Sequence, residues 1–190
     1  NKVVNEQEDP ETTFSFEQAN VLIPSPAQVQ IDPGGRFESR YSGNISYLQY
    51  QHEHFAPFML DAFASRHYSP GKLLERMWDG EYAGKWLDAA TRTAVSTGDQ
   101  AQLDLVDSFV DSLLKYQQND GYLGIKLPTD RDLSSWEKDW DNWNLWNALS
   151  GLLTHFELRG SQQSLEAASA IGLWIVEPYG PLTKGSDSFL

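Results

Sequence analysis

One spacing constrains this chain more than any other feature of it. An offset of 62 residues carries Gly98 to Gly160, Leu87 to Leu149, Ala90 to Leu152 and Ala94 to Phe156. The same offset carries Leu103 to Leu165, Val106 to Ala168, Phe109 to Ile171 and Leu113 to Ile175. Both turns read Gly-polar-Gln, Gly98-Asp99-Gln100 and Gly160-Ser161-Gln162. Apolar residues three and four apart share one face of a helix, and a glycine after the last of them stops it. The repeated unit is therefore a helical hairpin, with Asp99 as N-cap of its second helix. Its period exceeds the ~34 residues of tetratricopeptide repeats and the ~33 of ankyrin repeats. A single hairpin cannot bury its own apolar face, so such units stack.

The fold class is all-α, built of repeated helical hairpins, with a short extended or β segment at the N-terminus. Residues 1–43 are polar, then weakly alternating, and are punctuated by Pro24, Pro26, Pro33 and Gly34-Gly35. They read as extended, with one or two short strands at most. From Asn44 to residue 190 the pattern is helical. Ile45, Leu48, Phe55, Phe58, Met59 and Phe63 predict a first helix interrupted near Pro57. The first hairpin runs from Gly84 to about Gln118, where Asn119-Asp120-Gly121 ends it. The second runs from Leu145 to Pro178. The excess length of the repeat lies in residues 119–142, and long structured loops in compact domains are usually functional.

Charge narrows the partners. A formal net charge of −13 argues against nucleic acid, which needs clustered Lys and Arg, and against an anionic membrane surface. No run of about 18 apolar residues occurs. The chain has no cysteine, which removes disulfides, thiolate–zinc sites and cysteine nucleophiles from it. It opens without a basic or apolar leader. His52 and His54 point about 200° apart on a helix and do not converge on a metal. His155, on an amphipathic helix, reads as structural. Asn44-Ile45-Ser46 is a glycosylation sequon only in a eukaryotic secretory route. No phosphate-binding glycine loop and no nucleophile elbow occurs.

The loops gather aromatics and acids at one rim. Before the first hairpin stand Trp78, Asp79, Glu81, Tyr82 and Trp86. Between the hairpins stand Asp120, Tyr122, Trp136, Glu137, Trp140, Asp141, Asn142, Trp143, Asn144 and Trp146. Sugar rings present apolar C–H faces that lie on aromatic planes, and hydroxyls that need carboxylates and amides. Each feature also has a plainer reading. Trp86 and Trp174 lie on apolar stripes and read as core. Asp120 can simply cap a turn. Glu137, Asp139 and Asp141 can simply favour a helix N-terminus.

Residues 80–90 (GEYAGKWLDAA), 96–99 (STGD), 116–124 (YQQNDGYLG) and 142–160 (NWNLWNALSGLLTHFELRG), with 35–48 upstream, resemble glycoside hydrolase family 127, the β-L-arabinofuranosidase-like enzymes. The resemblance implies an (α/α)6 barrel, of which this chain supplies part. It also implies retaining hydrolysis by a cysteine thiolate held with zinc by three cysteines and a glutamate, and a separate glutamate as acid/base. No cysteine stands here, so the nucleophile and the zinc of a full-length member are expected outside this segment, which itself takes no cofactor. Trp78, Glu81, Asp120, Tyr122, Trp143, Asn144, Trp146 and Asn147 are the expected substrate-binding residues. Trp146 and Asn147 replace the His and Lys usual in the family, which leaves the exact sugar open.

The expected function is thus glycoside hydrolysis of a polysaccharide or oligosaccharide, with this segment as part of the sugar-binding wall. The rival is a non-catalytic carbohydrate-binding or helical scaffold module. Expected partners are a carbohydrate and either a second copy or the remainder of the same enzyme, because an incomplete ring exposes apolar stripes. An extracellular or periplasmic location ranks ahead of a cytoplasmic one.

Overall fold

The computed structural model describes residues 25–29, 31, 34–66, 77–131 and 140–176. Five α-helices follow in order: α1 (Arg36–Ser65), α2 (Glu81–Thr97), α3 (Gln100–Leu114), α4 (Asp141–Arg159) and α5 (Gln162–Val176). No strand occurs among the described residues; short 3-10 turns stand at Pro26–Gln28 and Pro128–Asp130. The 62-residue offset holds element by element. It carries both ends of α3 onto the ends of α5, and the last residue of α2 onto the last of α4. Gly98 and Gly160 end α2 and α4 alike, at φ 65° and 70°, a region that costs a residue with a Cβ strain. Asp99 caps α3 by accepting from the N–H groups of Ala101 and Gln102.

The first helix departs from its sequence expectation twice. It opens at Arg36, eight residues before the pattern turns helical at Asn44. That opening turn packs on little (Phe37 is exposed), so no apolar stripe announces it. It also runs unbroken through Pro57. Proline there removes one bond, to the carbonyl of Glu53, while Leu48, Ala56, Met59, Ala62 and Phe63 are buried on both sides of it and hold the helix together. A third departure lies at the end of α3. The helix stops at Leu114, before Gln118, and a turn at Lys115–Tyr116 leads into an independent loop.

Helices α2 and α4 lie side by side and parallel, each with its own partner, α3 or α5, behind it, while α1 runs antiparallel against α2. The α2–α4 crossing is a backbone contact. A Cβ on Gly84 would stand 2.0 Å from the carbonyl oxygen of Asn147, and one on Gly151 would stand 2.7 Å from that of Gly84. One turn further along, the Thr154 hydroxyl donates to Asp88 Oδ1 at 2.5 Å, and Arg92 reaches both residues. The apolar core beneath includes Trp86, Leu87, Val106, Phe109, Leu145, Leu152 and Ile171. Trp86 is core, as its stripe position requires, and its indole N–H donates to the Leu48 carbonyl at 3.0 Å. His52 packs its ring 5.3 Å from that indole, and burial lowers its pKa.

A polar clamp joins α3, α4 and α5. The His155 ring bonds Asp107 through Nε2 and Ser164 through Nδ1, both at 2.8 Å. Arg159 donates to both oxygens of Asp107. Chiefly through Arg159, the Asp107 carboxyl is held below the usual carboxylate range.

Two predictions follow from this packing. Gly84→Ala should wedge α2 from α4 and cost about 1–3 kcal/mol. Gly43→Ala, with nothing within 4 Å of the added carbon, should instead stabilise α1 by roughly 0.5–1 kcal/mol; urea denaturation of both variants is the check. For Asp107 the folded-state pKa is depressed, so its contribution is complete above its unfolded value near ~3.9. It is lost as pH falls through the lower folded value. Asp107→Asn should therefore be less stable than the parent at neutral pH, with the gap narrowing in acid melts; a constant gap would contradict this.

Candidate functional site

The parallel pairing of α2 and α4 brings their N-termini to one end of the molecule. The C-terminus of α1 and the loop after α3 arrive at that same end. Here the structure assembles an aromatic surface. Trp140, Trp143 and Trp146 are 40%, 44% and 52% exposed. Trp143 and Trp146 stack with centroids 5.2 Å apart and planes inclined by 12°. Three residues on one helix are neighbours, so the NWNLW spacing itself creates the stack. Trp78 meets Trp140 edge-on at 6.2 Å.

Glu81, the first residue of α2, sits between these indoles. Its carboxylate pairs with Lys85 Nζ at 2.9 Å and accepts from the Trp140 indole N–H at 3.4 Å. Lys85 also stands 5.8 Å from the Trp143 ring. The Glu81 carboxylate is thus fixed between the edge of the Trp140 indole and Lys85. Next to it, between α1 and α2, opens a cleft of about 580 Å³ whose walls include Phe55, Phe58, Trp78, Tyr82 and Lys85. Phe55 and Phe58, two of the apolar residues that announced α1 in the sequence, line this opening.

Three of the other expected residues, Tyr122, Asn144 and Asn147, lie beneath that surface. Tyr122 is fully buried. Its hydroxyl donates to Asp141 Oδ2 at 2.7 Å and accepts the Lys126 N–H at 2.9 Å. Its ring lies 4.8 Å from that of Trp174, with the Arg131 guanidinium 3.6 Å from its centroid on one face. Burial first, then the Asp141 charge, pushes the phenol far above its usual range, so it stays protonated. Gly124 lets the chain wrap this ring, since a Cβ there would stand 2.4 Å from the phenol oxygen. Asp120 caps its own turn, accepting the Tyr122 N–H at 3.0 Å, and pairs with Arg131 at 2.8 Å.

Asn144 and Asn147 are buried against α2. Asn144 Nδ2 donates to the Met77 carbonyl and Asn147 Nδ2 to that of Trp143. Asn144 thereby holds the chain entering α2, while the Asn147 amide turns back onto its own helix. The structure therefore brings Trp78, Glu81, Trp143 and Trp146 together at one surface, buries Tyr122, Asn144 and Asn147 behind it, and leaves Asp120 exposed on its loop, paired with Arg131. Spacing could have separated the two sets: 144, 147, 148 and 151 form the small-residue face that meets α2, and 143 and 146 flank it. The residue that reasoning from sequence missed here is Lys85; with Trp140, which the sequence placed on the rim but not among the substrate-binding residues, it holds Glu81. Trp136, Glu137 and Asp139 lie outside the described residues. No group of three or more His, Cys, Asp or Glu that could hold a metal occurs among the described residues. No described helix is long and apolar enough to cross a membrane.

A family model described as β-L-arabinofuranosidase, GH127 catalytic domain, matches residues 29–187. No curated protein matches the chain.

The buried peg gives a prediction. Tyr122→Phe removes the donor to Asp141 and the acceptor for Lys126, and should cost about 1–3 kcal/mol. Alkaline titration at the phenolate absorbance should show one fewer tyrosine resisting ionisation in the variant than in the folded parent.

Proposed function

The chain belongs to the GH127 β-L-arabinofuranosidase catalytic-domain family, a family of glycoside hydrolases, and from that premise we propose that its indole rim is one wall of the sugar-binding mouth. The observation that carries the reading is the exposed Trp143–Trp146 stack beside a carboxylate held in place. Large exposed aromatics at a mouth are costly to leave in water and mark ligand surfaces. The indole faces take the C–H face of a furanose or pyranose ring. Glu81 accepts hydroxyl hydrogen bonds, and Lys85 holds it in orientation while donating to ring or hydroxyl oxygens. The expected substrates are arabinofuranosyl oligosaccharides or polysaccharides.

The zinc set implied by the family resemblance, three cysteines and a glutamate, does not fit this chain, which has no cysteine. No step of the reading passes through zinc or a thiolate. This chain's own share is to bind and orient: the stack sets the plane of the sugar, and the Glu81–Lys85 pair sets its rotation.

The test is equilibrium binding of an arabinofuranosyl oligosaccharide by calorimetry. Trp143→Ala and Trp146→Ala should each weaken it by about tenfold or more, and their combination should abolish it. Because both side chains are largely exposed, thermal stability should stay within about 0.5 kcal/mol of the parent. Undiminished affinity in the double variant would place the sugar elsewhere.

A further inference from the structure

The cleft between α1 and α2 is a break in the repeat. The face of α4 that meets α2 carries short side chains or none, at Asn144, Asn147 and Gly151. The 62-residue offset takes these back to Tyr82, Lys85 and Ala89 of α2, and those three stand in the wall of the cleft, opposite α1. Main-chain contact of the α2–α4 kind is closed to them. A Cβ at Gly151 would stand 2.7 Å from the Gly84 carbonyl oxygen, and Ala89 carries that carbon. Tyr82 and Lys85 hold a neighbouring helix off by their length. The repeat therefore leaves an opening here, a cleft of about 580 Å³, in the size range of small-molecule sites.

Its walls are aromatic with polar tips. Tyr47, Phe55, Phe58 and Tyr82 line it and are 57%, 45%, 41% and 40% exposed. So many exposed rings around one cleft mark a ligand surface. The Tyr47 and Tyr82 phenols, the Gln51 amide and Lys85 bring hydrogen-bonding groups to the same walls. Rings with polar tips suit a sugar, whose C–H faces are apolar and whose edges are hydroxyls. An apolar helix laid in the cleft would strand those tips.

The cleft also has a direction. Phe58 and Tyr82 meet at the rim end, with rings 6.4 Å apart. The Leu48 carbonyl lies at Trp86, so Tyr47 stands about one turn further from the rim. From Phe58 back to Tyr47 helix α1 spans about 16 Å, a length that several sugar rings fill end to end. Rim and cleft are continuous. Trp78 meets Trp140 edge-on and lines the cleft, and Lys85 holds Glu81 while standing in the cleft wall.

We propose that this cleft is a second glycan subsite, and that it takes the units of a neutral oligosaccharide that follow the sugar held on the indoles. The assignment rests on the sugar reading of the rim. It adds that the ligand is a chain and that recognition extends past its terminal residue. The net charge of −13 favours a neutral chain over an acidic one.

The test is an NMR titration of the whole chain with methyl arabinofuranoside and with an arabinofuranosyl tetrasaccharide, read at the indole N–H signals and repeated on a Tyr47→Ala/Phe55→Ala double variant. A thermal melt verifies that the variant folds; if it does not, Tyr47→Ala alone carries the same test. The tetrasaccharide should bind the parent about tenfold tighter than the methyl glycoside, or more. The variant should lose that gain and bind the methyl glycoside as the parent does. Equal affinity in the parent, or a gain that survives in the variant, overturns the cleft subsite while leaving the indole rim intact. Self-association in sedimentation that the variant dissolves gives the cleft to a second copy and likewise overturns the subsite. Binding of neither ligand overturns rim and cleft together.

Discussion

The contact on which the rest depends is the crossing of α2 and α4 at Gly84 and Gly151. Main chain meets main chain there, with no room for a single added carbon. Helices that approach this closely must run alongside one another, and their outer partners then fall behind them. Two N-termini consequently emerge together. The indole rim stands within about two turns of those N-termini: Trp78, Glu81 and Lys85 at the start of α2, and Trp140, Trp143 and Trp146 at the start of α4. Small residues at the crossing are thus as consequential for the mouth as the indoles themselves.

The loop from Tyr116 to Arg131 works as a peg beneath that mouth. Its tyrosine is buried and bonded to the first residue of α4, and its Gly121 lies against α5 at the Ala170 carbonyl. Asp120, Asp141, Asn144 and Asn147 spend their polar groups on this scaffolding. The division is physical: groups that hold the rim turn their bonded donors and acceptors inward, and the indoles on the rim keep open faces. Glu81 shares in both, being paired to Lys85 yet set among exposed rings.

Hairpins were legible in the sequence because two independent signals coincide. Apolar residues recur at three and four, and Gly98 and Gly160 stop the helices where the left-handed turn is needed. The core role of Trp86 was legible for the same reason. The opening turn of α1 was not, because residues 36–43 bury almost nothing. Pro57 misled because a lost backbone bond is visible in sequence and the packing that offsets it is not. Tyr122 misled in the opposite sense. An aromatic after Asp-Gly in a loop reads as exposed, and only the fold reveals that Asp141 lies 19 residues on to receive its hydroxyl.

The central claim is that paired inner helices present a stacked indole surface to a sugar. The seven indole N–H resonances of the chain, followed in a ¹⁵N-correlated NMR spectrum during titration with an arabinofuranosyl oligosaccharide, address it most directly. The account predicts that the signals of Trp140, Trp143 and Trp146 shift together while those of Trp86 and Trp174 stay in place. Shifts confined to the two core indoles, or none at saturating sugar, would contradict it.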